Sequence, residues 1–367
     1  MSDLLVSSLT PTLTSGTGLR TYGVIAALSR EHPVEVAHVV FAADAPAPEY
    51  AQMERVTMRP LHASRDLQRA VEFGRGVVRG IPLGVARGLS PALTRVLDGV
   101  PADVRVIADG PVAAAALLPH ARRREIAYLA HNVESSGFRG KSGRAALERF
   151  ERRVFRSFAE CWMATRADER RARAIAGQGI RTRYVPNVVD VTRIKPVAPA
   201  GAERLLFVGD FAYDPNLEAL SFLAEQVLPI LWERKPDVRL MAVGSSLPDV
   251  PRDQRIETPG FVEHLASAYG ASDVVVVPLL RGGGSPLKFI EGLAYGLPVV
   301  ATDHAAGLIE DGLPGRDFLV ADDARAFAAA IEDLVSDPVR AGRIGSAGRE
   351  LVTRSYSIQR LADLLGS

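Results

Sequence analysis

Short apolar runs, each too short for a helix, stand in front of loops rich in glycine, proline or aspartate, and helical spacing follows most of the loops. Leu4-Leu5-Val6 leads into Thr10-Pro11-Thr12-Leu13-Thr14-Ser15-Gly16-Thr17-Gly18, and Leu19 to Ser29 then carries apolar residues at helical spacing. Val34 to Phe41 is a second strand-like run. Val104 to Ala108 is a third, followed by Asp109-Gly110-Pro111 and an Ala-rich helix. Ile126 to Ala130 is a fourth, ahead of an Arg-rich helical stretch at about 143–160. Strands apolar on both faces, alternating with helices, call for a parallel sheet covered on both sides.

Val191 to Glu203 interrupts the pattern with Pro196, Pro199 and Gly201 and reads as an interdomain linker. The alternation then restarts. Leu205 to Val208, Val238 to Val243, Asp273 to Val277 and Leu297 to Ala301 are strands, and Asn216 to Ala224 and Pro286 to Tyr295 are helices. The expected fold is α/β: two Rossmann-like, doubly wound parallel-sheet domains facing a cleft. Ligands in such sheets sit at the carboxyl ends of the strands.

Composition narrows the function. The 367 residues hold 44 Lys+Arg and 43 Asp+Glu, which excludes a polybasic nucleic-acid binder. Only Lys141, Lys195, Lys235 and Lys288 are lysines. A single cysteine, Cys161, rules out an intrachain disulfide and a four-cysteine zinc site, and its apolar surroundings make it a buried strand residue. The other histidines, His32, His38, His62, His120, His264 and His304, show no metal-ligand spacing, so no metal site is expected. No run reaches the roughly 20 apolar residues of a membrane span, and the N-terminus lacks a basic leader region, so a reducing cytoplasm is the expected compartment.

The charges are unevenly spread. Residues 1–190 carry 27 Lys+Arg and 19 Asp+Glu, whereas 191–367 carry 17 and 24. Segment 122–183 alone holds 16 basic and 7 acidic residues. It reads either as a patch for anionic lipid or an anionic acceptor, giving peripheral contact with the inner membrane face, or as a solvated helical face with pairs such as Glu148–Arg152.

The strongest chemical signal is Pro278-Leu279-Leu280-Arg281-Gly282-Gly283-Gly284-Ser285-Pro286-Leu287-Lys288-Phe289-Ile290-Glu291. It follows a buried strand and opens a helix. Three glycines let backbone N–H groups approach a ligand, Ser285 is the expected N-cap and Pro286 the first helical residue. A helix N-terminus flanked by Arg281 and Lys288 suits a diphosphate. Glu291, one turn after Lys288, could accept two ribose hydroxyls. The alternative is a glycine turn with Lys288–Glu291 as a surface pair. Gly16 and Gly18 lack the G-x-G-x-x-G spacing, which argues against a dinucleotide. His131 ends a strand, where an imidazole could meet a ligand or simply close the strand.

Gly282 to Gly307 (GGGSPLKFIEGLAYGLPVVATDHAAG) resembles the donor-site signature of retaining GT-B glycosyltransferases of family 4. Val185-Pro186-Asn187-Val188-Val189-Asp190 resembles the family's VPNGVD, with Val188 in place of glycine. His131-Asn132-Val133-Glu134 resembles its HNxE segment. Val208-Gly209-Asp210-Phe211 with Pro215-Asn216 resembles the start of its nucleotide domain, and Gly260-Phe261-Val262 its base-contacting loop. The matches span about 130–307 in the family's order.

The resemblance implies an acceptor-side domain over 1–190, a nucleotide-sugar domain over 191–348 and a helix over 349–367 that crosses back to the first. It implies a nucleotide-diphosphate sugar as donor substrate, no separate cofactor, and an acceptor that is a small molecule, lipid-linked or a glycan. Catalytic roles fall on His131, Lys288, Arg281 and Glu291. Donor contacts fall on Gly16, Gly18, Gly209, Val262, Gly282, Gly283, Gly284, Ser285, Pro286 and Leu287. Glu291 matches the second of the family's two donor-site glutamates, while Gly283 stands at the first, so backbone N–H groups of Gly283 and Gly284 would hold the sugar hydroxyls. Asp210 to Asp214 replaces the family's Arg and Lys after the first strand of the second domain. A non-catalytic nucleotide-sugar-binding subunit and a sugar-nucleotide epimerase of the same fold are the alternatives.

Overall fold

The computed structural model describes residues 2–40, 44–62, 66–137, 141–247 and 253–366. Phe41, the expected end of the second strand, and residues 138–140 of the basic segment lie outside them. The chain forms two compact units, Met1–Asn187 with Leu361–Ser367, and Val188–Arg360.

Unit 1 holds β1 (Asp3–Ser7), β2 (Val34–Val40), β3 (Val56–His62), β4 (Arg105–Asp109), β5 (Ile126–Leu129), β6 (Glu160–Met163) and β7 (Thr182–Tyr184) in the order β3-β2-β1-β4-β5-β6-β7. Every pairing is parallel. Leu5 lies opposite both Val36 and Ile107, and all three are buried. Cys161 is buried in β6, with Tyr128 of β5 in register opposite it.

Unit 2 repeats the scheme with β8 (Arg204–Val208), β9 (Arg239–Val243), β10 (Ile256–Gly260), β11 (Val274–Val277), β12 (Val299–Ala301) and β13 (Leu319–Val320), ordered β10-β9-β8-β11-β12-β13 and parallel throughout. The four valines of β11 are wholly buried, as a central strand covered on both faces requires. In both sheets the strand order reverses beside the first strand, between β1 and β4 and between β8 and β11. That reversal opens a crevice at the carboxyl ends.

The strands outside the expected set are β3, β7, β10 and the two-residue β13, and all four are sheet edges. An edge strand can show polar residues to solvent and can carry proline, as β3 does at Pro60 and β10 at Pro259. Apolar patterning therefore underreports the outer strands.

The segment expected as a free linker belongs to unit 2. Arg349 donates to the carbonyls of Ala294, Val191 (3.3 Å) and Ile194 (3.0 Å), and the Val197 N–H reaches the Tyr295 carbonyl at 2.8 Å. The Asp273 carboxylate accepts from the N–H groups of Gly201, Ala202 and Arg204 at 2.6–3.0 Å. The units divide between Asn187 and Val188, three residues before the expected boundary at 190. The expected cut at 348 falls inside the Pro338–Ser355 helix, which stays with unit 2, and the chain rejoins unit 1 only from Leu361.

That helix packs closely because Gly345 has no side chain: a Cβ there would lie 2.0 Å from the Gly296 carbonyl oxygen. Gly345→Ala must push backbone against backbone. A loss of about 1–3 kcal/mol is expected from overpacking, read as a lower urea midpoint.

Candidate active site

In unit 2 the candidate residues gather at the carboxyl ends of β8 and β11, beside the reversal of strand order. Gly209 follows β8, and its N–H donates to Val243 at 2.9 Å. The 278–286 loop follows β11. Gly282 and Gly284 adopt φ of +128° and +73°, conformations that side chains oppose. The helix after the loop runs Leu287–Ala294 with Pro286 at the cap position, so Ser285 lies one residue before the cap and does not serve as N-cap. Its first intrahelical bonds run from Phe289 and Ile290 back to Pro286, which leaves the N–H groups of Leu287 and Lys288 at the leading end.

Lys288 turns its ammonium toward β8. Nζ donates to Asn216 Oδ1 at 2.6 Å and stands 4.6 Å from the centre of the Phe207 ring. A Cβ on Gly209 would come within 3.0 Å of Nζ. Burial pushes the Lys288 ammonium down to about 7, with Glu291 opposing. Glu291 accepts the Tyr269 hydroxyl at 3.2 Å, and burial pushes its carboxyl up to about 7, opposed by that hydrogen bond and by Lys288. Tyr269 is itself fully buried and stacked on Tyr295 at 4.3 Å. Lys288 and Glu291 are therefore not a surface pair. Each has its own partner in the interior.

Arg281 behaves differently. Its guanidinium forks onto Glu218 at 2.7 and 2.8 Å and comes within 3.7 Å of Asp214. The Glu218 hydrogen bond raises its pKa further above the ordinary arginine value. Its charge is matched by carboxylates on the Asp214–Phe222 helix. Val262 follows β10, next to Phe261, which is 59% exposed, and Gly260 there has φ +81°. The Gly244 N–H donates to the Gly260 carbonyl at 2.9 Å, which ties this loop to the end of β9.

In unit 1 the Gly16–Glu31 helix starts after β1, with Ser15 as N-cap accepting from Gly18 N–H at 3.1 Å. Gly16 is exposed at the helix start. Gly18 is required by packing, since a Cβ would lie 2.0 Å from the Thr12 carbonyl oxygen. His131 follows β5. Its Nε2 lies 3.0 Å from Asp109 at the end of β4, and Asp109 also accepts the Thr21 hydroxyl at 3.0 and 3.1 Å. Gly110, at φ +77°, makes room for the imidazole, which a Cβ would approach to 3.1 Å. His131 Nδ1 is buried and has no partner. In this arrangement Nε2 is taken by Asp109 and Nδ1 is shielded, so the ring presents no nitrogen to the surface. Glu134 starts a short helix, and burial raises its pKa while His131 opposes the shift.

Residues 202–337 match the family described as Glycosyl transferases group 1. The phosphatidyl-myo-inositol mannosyltransferase of Mycolicibacterium smegmatis is 30% identical over 190 residues, covering 47% of this chain and 48% of that protein. The chain thus spans about half the length of that relative. A GDP-mannose-dependent alpha-(1-6)-phosphatidylinositol monomannoside mannosyltransferase of the same organism is 29% identical over 299 residues, covering 72% and 76%. Among solved structures, sucrose-phosphate synthase from Thermosynechococcus elongatus superposes with a TM-score of 0.74 at 18% identity, covering 100% of this chain and 98% of that one. Anabaena HepE in complex with UDP gives 0.71 at 14% identity, with the same coverage. Within unit 2, residues 202–337 resemble the group 1 family, and the chain has the GT-B fold and resembles family 4.

Several residues around the unit 2 site were not singled out by motif. Asn216 was noted only as part of Pro215-Asn216, and Tyr269 and Glu218 sit in stretches without a signature. In unit 1, Arg20 is 2% exposed and donates to the carbonyls of Ala130 (3.0 Å) and Val185 (2.8 Å) and to Asn187 Oδ1 (2.9 Å). Burial lowers it to about 10. An arginine in line with Val24, Ala27 and Leu28, on the buried face of its helix, was the available signal. The basic segment spends much of its charge internally. Arg152 donates to the Ile175 carbonyl (2.8 Å), Arg153 to Arg79 (2.6 Å) and Arg156 to Ala176 (2.7 Å). Glu148 pairs with Arg144 at 3.2 Å instead of with Arg152. Among the described residues no helix is long and apolar enough to cross a membrane.

Lys288 and Glu291, both partly buried, predict a pH signature. Lys288 is depressed to about 7 from 10.5, so between those values the unfolded chain binds the extra proton and folding gains stability as pH rises. Glu291 is raised to about 7 from 4.5, so over that window the folded chain holds the proton and stability falls as pH rises. Melting curves over pH 5–9 should show Lys288→Met stabilising most below neutrality and Glu291→Gln most above it. Each advantage should shrink in the opposite direction.

Proposed function

We propose that the chain is a glycosyltransferase. It takes a nucleotide-diphosphate sugar at the crevice of unit 2 and transfers the sugar, with retention at the anomeric carbon, to a hydroxyl of a lipid-linked, glycan or small-molecule acceptor. The observation that carries this reading is the Lys288 ammonium, partly buried beside Gly209 and the glycine loop with a neutral hydrogen-bond partner. An interior positive charge of that kind is suited to an anion, and the loop before it supplies backbone N–H groups.

The chemistry follows from where charge develops. Breaking the anomeric C–O bond leaves the electron pair on the diphosphate oxygen. Lys288 and the leading N–H groups of the Leu287–Ala294 helix would stabilise that charge from fixed positions, so little reorganisation opposes the step. The reading assigns the nucleoside ribose to Glu291, which Tyr269 already orients, and the base to the loop at Phe261 and Val262. Gly282, Gly283 and Gly284 are assigned to the sugar side of the diphosphate. Gly16 and Gly18, at the helix start in unit 1, and His131 remain that unit's candidates. Their assignment rests on the family resemblance. The relatives' names point to GDP-mannose and the bound HepE to UDP, so both nucleotides belong among the donors to test.

A thermal-shift panel of UDP, GDP and dTDP should give stabilisation by one nucleotide, since a ligand that binds only the native state raises its melting point. Turnover with the corresponding sugar donors should fall about a hundredfold or more in Lys288→Ala, the scale for losing one charge-stabilising donor. Arg281→Ala should cost less than about tenfold, because Glu218 already occupies its guanidinium. Wild-type turnover retained in Lys288→Ala would refute the assignment.

A further inference from the structure

The two cations flanking the glycine loop are treated oppositely. Arg281 is held by Glu218 and Asp214, and its charge is cancelled locally. Lys288 is held by an amide. Asn216 is 7% exposed, and its side chain is fixed from both ends: Oδ1 accepts from Lys288 Nζ at 2.6 Å, and Nδ2 donates to the Asp210 carbonyl at 2.7 Å. A carbonyl on one side demands a donor and an ammonium on the other demands an acceptor. Among side chains that fill this space, an amide supplies both and a carboxylate supplies only the second.

The surroundings preserve that balance. Phe207 of β8 presents its ring to the ammonium, and Gly209 presents backbone with no side chain. Asp210 turns its carbonyl to the Asn216 amide, while its carboxylate accepts the Ser245 hydroxyl at 2.9 Å and the Ala212 N–H at 3.1 Å. Glu291, on the same helix as Lys288, is the acidic group that acts on it electrostatically, and it is held by Tyr269.

We infer that Asn216 is a positioning residue for donor binding: it aims the Lys288 ammonium into the unit 2 crevice while leaving its charge available to a diphosphate. The inference rests on the reading of Lys288 as the diphosphate cation. It also gives the Pro215-Asn216 pair a task.

The test pairs nucleotide binding with a direct view of the lysine. Asn216→Asp keeps an acceptor for Lys288 and adds a charge that cancels it. Calorimetry with whichever of UDP, GDP or dTDP binds wild type should show affinity roughly tenfold or more lower in Asn216→Asp, equivalent to about 1.4 kcal/mol or more. In the Lys288→Met background the same change should have little further effect. With ¹³Cε-lysine labelling the chain gives four lysine signals, and Lys288→Met assigns the one of interest. That signal should titrate near neutrality in wild type and at clearly higher pH in Asn216→Asp. A merely structural asparagine would lower the melting point without moving that titration.

If Asn216→Asp does not fold, Asn216→Ala carries the test, with binding again about tenfold weaker but the lysine titration not raised. Wild-type affinity in a folded Asn216 variant, with Lys288→Met defective, overturns this inference and leaves the diphosphate reading standing. Wild-type protein that binds none of the three nucleotides, or Lys288→Met that binds like wild type, overturns both.

Discussion

Parallel pairing governs the rest of this structure. Consecutive parallel strands must be joined by crossovers over the sheet faces, so every strand of a unit delivers its carboxyl end to one edge. The polar residues with chemistry to offer collect on that edge because the interior accepts only apolar strands. Asp109 ends β4, His131 follows β5, Gly209 follows β8 and the glycine loop follows β11. The reversal of strand order beside β1 and β8 keeps neighbouring crossovers apart and leaves room there for a ligand. The same constraint explains the glycines. Gly244 approaches Gly209 so closely that a Cβ would lie 1.6 Å from its carbonyl oxygen, which two side-chain-bearing residues could not do.

Central strands were legible in the sequence because burial on both faces leaves no choice but apolar residues, as in β8 and β11. Edge strands were not legible. Arg183 of β7 and Glu257 of β10 face conditions that many residues satisfy, and nothing in their local pattern demands a strand. The loop of Gly282 to Pro286 was legible for a different reason, since positive φ at close approach selects glycine. The cap was misplaced by one residue because the proline after Ser285 takes an extended conformation, φ −74° and ψ 99°, and the helix begins after it. Partners across the fold were the least legible part. Asn216 precedes Lys288 by 72 residues and Thr21 precedes Asp109 by 88, and periodicity carries no information over such spans.

His131 shows how a motif can locate a residue without describing its state. The HNVE match puts an imidazole at the end of β5, and it is there. The carboxylate of Asp109 was visible in the sequence as a turn residue only, yet it takes the Nε2 of the ring. Asp109 also receives Thr21, so its charge is shared between a hydroxyl and an imidazole and its geometry is fixed from the Gly16–Glu31 helix and from the loop after β5. A role for His131 therefore has to be argued from that pair, and a change at Asp109 acts on His131 before it acts on any ligand.

The cations show why net charge is a poor guide to where an anion binds. Unit 1 holds most of the arginines, yet Arg20, Arg124, Arg152 and Arg156 bond to backbone carbonyls at strand and helix ends. They satisfy acceptors that would otherwise be buried or frayed, and their charge is not directed at a ligand. Unit 2 is acidic overall, but the proposed donor site turns on one ammonium held by an amide and an aromatic ring. Guanidinium suits the first task because its five donors fit several carbonyls at once. Ammonium suits the second because it is compact and its charge falls on a single point. With 40 of 44 cations arginine, the retention of lysine at 288 fits a site where a point charge in a confined space serves better than a fork.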